Sequence, residues 1–135
     1  MTKVMVIDDS KLDLEIITNQ IESAGFDVIS SLNANRALTL VKEHKPDIIL
    51  LDIVMDKANG FDVCAALKGD PETNHIPIMF VSSSRNEENL IKGLHLGVVD
   101  FITKPVNRDE LVHTIRIHDH MHKINQSLKQ MVSEL

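Results

Sequence analysis

The sequence predicts an α/β protein, a doubly wound parallel sheet of five strands with an extended C-terminal helix. Three observations carry that prediction. The runs Val4-Met5-Val6-Ile7, Ile48-Ile49-Leu50-Leu51 and Ile78-Met79-Phe80-Val81 are apolar at every position. Unbroken apolarity, in place of alternation, marks strands buried on both faces, as in a parallel sheet covered by helices. Between the runs, apolar residues recur at helical spacing. Each run also stops at polar residues, Asp8-Asp9, Asp52 and Ser82-Ser83-Ser84 respectively. Open α/β sheets bind their ligands outside the carboxyl ends of the strands.

Taken in order, the first run leads to Ser10, a fitting N-cap for a helix with Leu14, Ile17, Ile21 and Ala24 on one face and Gly25 at its end. Residues 26–30 form a short second strand. Ala34, Ala37, Leu38 and Val41 mark a second helix, which must end before Pro46 because proline disfavours a helical predecessor. The strand ending at Asp52 follows, then a polar loop through Gly60 and a helix carrying Phe61, Cys64, Ala65 and Leu67. Asp70-Pro71-Glu72-Thr73-Asn74 is rich in turn formers. After the fourth run, a helix over residues 86–96 stops at Gly97, and residues 98–102 make the fifth strand. Thr103-Lys104-Pro105 comes next. Asn107 and Glu110 have the spacing of a capping box, and neither Gly nor Pro interrupts the chain after Pro105. Alternating strands and helices give right-handed crossovers with helices on both faces.

Bulk properties narrow the function. A chain of 135 residues with 43% hydrophobic and 25% charged residues has the size and composition of one globular domain. Its net charge of −6 argues against direct nucleic-acid binding, which needs a positive surface. Residues 1–10 lack a signal-peptide pattern, and no apolar run approaches the roughly 20 residues of a membrane span. The single cysteine, Cys64, cannot form an internal disulfide, which fits a reducing cytoplasm. Cys64 reads as a small buried residue of its helix.

The carboxyl ends of the strands assemble Asp8, Asp9, Asp52, Ser82 and Lys104. Converging carboxylates stay ionised together only around a cation, and an all-oxygen set suits Mg2+. A hydroxyl and an ammonium aimed at the same place suit a phosphoryl group. The implied chemistry is phosphoryl transfer to a carboxylate nucleophile.

These motifs, in this order over residues 3 to about 119, resemble the receiver domain of two-component response regulators (CheY-like): paired acids Asp8-Asp9, the acceptor Asp52 with Gly60 eight residues on, Ser82, and Lys104-Pro105. The resemblance implies the flavodoxin-like strand order 2-1-3-4-5. It implies that Asp52 accepts a phosphoryl group from a phosphohistidine on a sensor histidine kinase or histidine phosphotransfer protein. Asp9 and Asp52 would ligate Mg2+ directly with the backbone carbonyl of Val54, and Asp8 mainly through water. Lys104 would contact the phosphoryl group, its bond to Pro105 would be cis, and Ser82 and Phe101 would form a switch pair. Such a protein catalyses only its own phosphorylation and dephosphorylation, and is no turnover enzyme. The chain departs from the family at Asp56, where proline is common, at the apolar Val54, and at Val98 and Val99 in place of small residues. Asp56 reads as a solvated loop residue.

A receiver domain over 1–119 leaves 120–135 as a helical extension. Ile117, Met121, Ile124, Leu128, Met131 and Leu135 follow heptad spacing, the seam of a coiled coil. It implies a homodimer through 117–135, or a signalling helix toward an output domain beyond 135. His113, His118, His120 and His122 read as a polar flank of this seam, ahead of a transition-metal site. Two other function classes compete. A Mg2+-dependent phosphohydrolase would need a D-x-D nucleophile motif, which Asp8-Asp9 lacks, and a cap domain. A degenerate receiver acting only as an interaction module would lack a reacting Asp or Lys, and here all are present.

Overall fold

The computed structural model describes residues 1–56, 58–83 and 86–135. Its strands are β1 (Lys3–Ile7), β2 (Asp27–Ser31), β3 (Ile48–Asp52), β4 (Ile78–Ser82) and β5 (Asp100–Thr103). They pair in parallel in the order β2-β1-β3-β4-β5, as the resemblance implies. The helices are α1 (Lys11–Glu22), α2 (Ala37–His44), α3 (Gly60–Lys68), α4 (Glu87–Leu96) and α5 (Arg108–Ser133), with a 3-10 turn over Ala34–Arg36 before α2.

Alternate residues of each strand supply two separate cores. On one face Met5, Ile7, Ile49, Leu51, Ile78 and Phe80 pack on α2 and α3 through Val41, Phe61, Cys64 and Leu67. On the other, Val4, Val6, Ile48, Leu50, Met79 and Val81 meet Leu14, Ile17 and Ile21 of α1 and Leu111 and Ile115 of α5. Burial on both sides is why residues 4–7, 48–51 and 78–81 of the three central strands are apolar without a break. Cys64 is fully buried, and burial pushes its thiol pKa up, so it is inert.

Helix ends follow the local sequence. Ser10, Asn59, Asn86 and Asn107 each accept a backbone N–H with their side chains at a helix start. Pro46 bars a further helical residue, and Lys45 turns left-handed (φ 49°) with its N–H on the Val41 carbonyl. Two strands differ from the sequence reading at both ends. β2 lies one residue later, at Asp27–Ser31 in place of 26–30, and β5 runs Asp100–Thr103 in place of 98–102. Val98 instead closes α4, its N–H bonding the Gly93 carbonyl at 3.1 Å. An apolar residue just past a glycine cap is a normal helix closure.

Helix α5 runs unbroken through residue 119. Leu111, Val112, Ile115 and Asp119 form its buried stripe. Asp119 accepts from Thr2 Oγ1 and Lys123 Nζ, both at 2.9 Å, so contact with the body continues to Lys123. His118 meets Asp100 at 2.9 Å, and His122 stacks on His75 with centroids 6.1 Å apart. The two histidines therefore take different partners. Among the described residues, no metal-ligating cluster occurs on α5.

Gly60 positions the end of β3. A Cβ there would collide with the Asp52 carbonyl oxygen and lie 2.7 Å from Ile53 Cα and 3.0 Å from the Ile53 carbonyl oxygen. These are backbone atoms that cannot turn aside. Gly60→Ala should therefore destabilise the fold by about 3 kcal/mol, the upper range for overpacking, read as a lowered urea midpoint. A midpoint equal to wild type would mean that α3 starts farther from β3 than described.

Candidate active site

Asp52 is the last residue of the central strand, and Ile7 pairs with Leu51 in the register, so Asp8 and Asp52 emerge side by side. Asp8 is 1% and Asp52 6% exposed. One carboxylate oxygen from each of Asp8, Asp9 and Asp52 falls within 4.8 Å of the others. Backbone donors fix these acids. The Ser10 N–H bonds Asp8 Oδ1 at 2.9 Å, the Asp56 N–H bonds Asp9 Oδ2 at 2.6 Å, and the Val54 N–H bonds Asp52 Oδ1 at 3.3 Å. Asp56 itself is exposed and meets the site through its backbone. Val54 is also exposed, beside Asp52.

Lys104 arrives from the end of β5. Its bond to Pro105 is cis, and its N–H donates to the Ser82 carbonyl at 2.8 Å, tying the lysine loop to β4. The ammonium contacts Asp8 Oδ2 at 2.8 Å, Asp13 Oδ2 at 2.9 Å and Asp52 Oδ2 at 3.3 Å. Ser82 is buried at the end of β4, opposite Thr103. Ser84, third in the hydroxyl run, lies outside the described residues. Phe101 is half-buried, its ring 5.7 Å from that of Phe80. Space for the ring comes from Gly93, where a Cβ would lie 2.6 Å from Phe101 Cζ.

The electrostatics follow from one cation among several acids. Burial alone would lower the Lys104 pKa, but its bonds to Asp8 and Asp13 and the charges of Asp52 and Asp8 raise it. Lys104 is thus fixed as an ammonium. The Asp13 carboxyl is held below its ordinary value chiefly by the Lys104 bond. Asp52, the most distant of the three partners, is pushed from 3.8 up to about 6, first by burial and then by the Asp8 charge, with Lys104 opposing. The negative charge left over beside Asp8, Asp9 and Asp52 fits a hard divalent cation, since three oxygens already converge.

Asp13 was not legible as a site residue. Ser10-x-x-Asp13 reads as a helix start, and the approach of Lys104 depends on β1 and β5 flanking the same edge. Gly93 was also missed, since a glycine inside a helix signals only lower helix propensity.

The Asp52 shift has a signed consequence. Its folded pKa lies above the unfolded value of 3.8, so protonation favours the folded state. That contribution is full below about pH 4 and is lost as pH rises through about 6. At neutral pH the ionised group costs roughly 3 kcal/mol, at about 1.4 kcal/mol per pH unit. Asp52→Asn should therefore stabilise the metal-free chain by about 1–3 kcal/mol at neutral pH and by nothing near pH 4. Urea melts in chelator at both pH values test this, and a variant less stable at neutral pH would contradict it.

Comparison with known proteins agrees with this geometry. The sequence pattern of the "Response regulator receiver domain" matches residues 4–116. Protein PilH of Pseudomonas aeruginosa is 34% identical over 115 residues, which cover 85% of this chain and 95% of PilH. Response regulator PleD of Caulobacter vibrioides is 33% identical over 105 residues, 78% of this chain but 23% of PleD. The solved receiver domain of the Francisella response regulator 1452 superposes with a TM-score of 0.81 at 29% identity, covering 90% of this chain and 98% of that one. Among the described residues, no helix is long and apolar enough to cross a membrane. A flavodoxin-like sheet with acids, a hydroxyl and a lysine at its carboxyl edge, matched over most of its length, places this chain in the response regulator receiver domain family of two-component signalling.

Proposed function

We infer that the chain is a phosphorylation switch whose acceptor is Asp52, charged by the phosphohistidine of a sensor histidine kinase or a histidine phosphotransfer protein. The observation that carries this reading is the set of contacts on Asp52: a buried carboxylate beside Asp8 and Asp9, held by the Val54 N–H and the Lys104 ammonium. An Asp52 oxygen attacks phosphorus as the phosphorus–nitrogen bond to the donor imidazole breaks, and the imidazole leaves with the bonding pair. The product is an acyl phosphate. The Val54 N–H and Lys104 orient the carboxylate before attack, and the Lys104 donor then passes to a phosphoryl oxygen. Asp8, Asp9 and Asp52, with the Val54 carbonyl, would hold Mg2+. When bound, the ion supplies positive charge to offset the carboxylates and the phosphoryl oxygens.

Ser82 would hydrogen-bond the new oxygens, with Phe101 as its switch partner. The inward packing of Phe101 on Phe80 and Gly93 supports an inward bias before phosphorylation, so that phosphorylation shifts a population already present. The reaction consumes the chain's own carboxylate, which makes this a switch and not a turnover enzyme. The single buried cysteine supports a cytoplasmic setting. The switched surface acts on a separate partner or on an output domain C-terminal to residue 135.

Acetyl phosphate with Mg2+ should add one hydroxylamine-labile phosphoryl group to the intact mass, and Asp52→Asn should take up none. Equal labelling of the variant would remove Asp52 as acceptor.

The extension supports self-association as part of the same reading. The seam residues Ile117, Met121, Ile124, Leu128 and Met131 are 41–63% exposed, and they lie opposite the stripe that docks Ile115 and Asp119 on the body. Covering each such side chain contributes about 1.5–3 kcal/mol. Lys123 and Lys129 balance Asp119 and Glu134 along this stretch, so two copies do not repel. Parallel pairing through 117–135 would carry a rearrangement of two receivers along the helices. In sedimentation equilibrium the full chain should dimerise, and truncation after His120 should weaken association by orders of magnitude. Equal association of both would move the interface to the receiver's own surface.

A further inference from the structure

Asp13 holds the active-site lysine without belonging to the set of acids that converges beside Asp52. It sits in the first turn of α1, where the N-cap Ser10 Oγ accepts its N–H at 3.3 Å. In a capping box, the acid three residues after the cap folds back onto the cap N–H. Here that donor is already spent, because the Ser10 N–H bonds Asp8 Oδ1 at 2.9 Å. The Asp13 carboxylate reaches Lys104 instead, 2.9 Å from Nζ.

A lysine ammonium has three donors and no acceptor. All three are engaged, at 2.8 Å with Asp8, 2.9 Å with Asp13 and 3.3 Å with Asp52. The longest contact is the one to the acceptor. Asp8 and Asp52 share in the convergent carboxylate cluster, whereas Asp13 stands outside it. A cation in that cluster would therefore leave the pull of Asp13 on Lys104 in place.

We propose that Asp13 is a positioning residue that holds Lys104 back from the acceptor and so limits how strongly the phosphorylated state is favoured. This rests on Asp52 being the phosphoryl acceptor. Phosphoryl oxygens on Asp52 compete with Asp13 for one ammonium. Loss of the Asp13 charge frees Lys104 for them. The gain is small because the Asp13 side chain is 38% exposed and water screens the pair.

The test uses the full chain and beryllofluoride, a stand-in for the phosphoryl group, with Mg2+ and calorimetric titration. Asp13→Asn should bind about two- to fivefold more tightly than wild type, the range for a partly exposed ion pair. Asp13→Glu, which keeps the charge, should return affinity to the wild-type value. In a Lys104→Gln background, Asp13→Asn should have no effect, since the coupling runs through the lysine. Equal or weaker binding by Asp13→Asn overturns the proposal, and so does the same gain without Lys104. Should Lys104→Gln not fold, the Lys104 side-chain NMR signals of the ligand-free protein decide: they must shift in Asp13→Asn, and unchanged signals overturn the contact. A wild-type chain that binds no beryllofluoride counts against the acceptor and this role together. Binding that ignores Asp13→Asn counts against Asp13 alone.

Discussion

Lys104 carries one positive charge into a place where Asp8, Asp13 and Asp52 all compete for it. The lysine answers its two nearest partners well and Asp52 least, and Asp9 contributes further negative charge nearby. The site is therefore poised before any ligand arrives, with the Asp52 carboxylate held under repulsion by a fold rigid enough to keep it there. Relief comes from added positive charge or from protonation of Asp52, and a divalent cation would act on this imbalance directly.

Rigidity comes from the double burial of the sheet. Each central strand buries alternate side chains in two cores, so moving Asp52 would disturb both. The same construction ties the site to a distant surface. Lys104 is bonded through its backbone to Ser82 on β4, and β4 also carries Phe80, on which Phe101 packs beneath Gly93 of α4. A change in the grip on Lys104 or Ser82 thus meets a packed aromatic pair, not a loose loop. Beyond it, α5 carries contacts as far as Lys123 and then continues as exposed helix to Ser133.

The fold was legible because burial on two faces leaves a simple trace, runs of apolar residues that stop abruptly. The acids and Ser82 stood out for the same reason, since each follows such a run, and Lys104 through the Thr103-Lys104-Pro105 stretch after the fifth strand. What stayed hidden depended on approach in three dimensions. Asp13 carries no site signal in the sequence, and it reaches Lys104 in a fold where Asp8 occupies the Ser10 N–H. Gly93 showed no purpose until the Phe101 ring was seen against it. Val98 looked like strand because apolarity alone does not separate a strand from the residue that closes a helix, and its N–H bonds Gly93. Likewise His118 and His122 share one helix face but are parted by their partners, Asp100 and His75.

The charge imbalance at Asp52 is open to direct observation. Carbon-13 NMR of the Asp52 side-chain carboxyl, followed through a pH titration of the metal-free chain, reads its ionisation without any variant. The midpoint should fall near 6, raised from the ordinary 3.8 by burial and by Asp8, and Mg2+ should move it down. A midpoint at the ordinary value, unmoved by Mg2+, would mean that Lys104 already neutralises Asp52 and that the site holds no such imbalance.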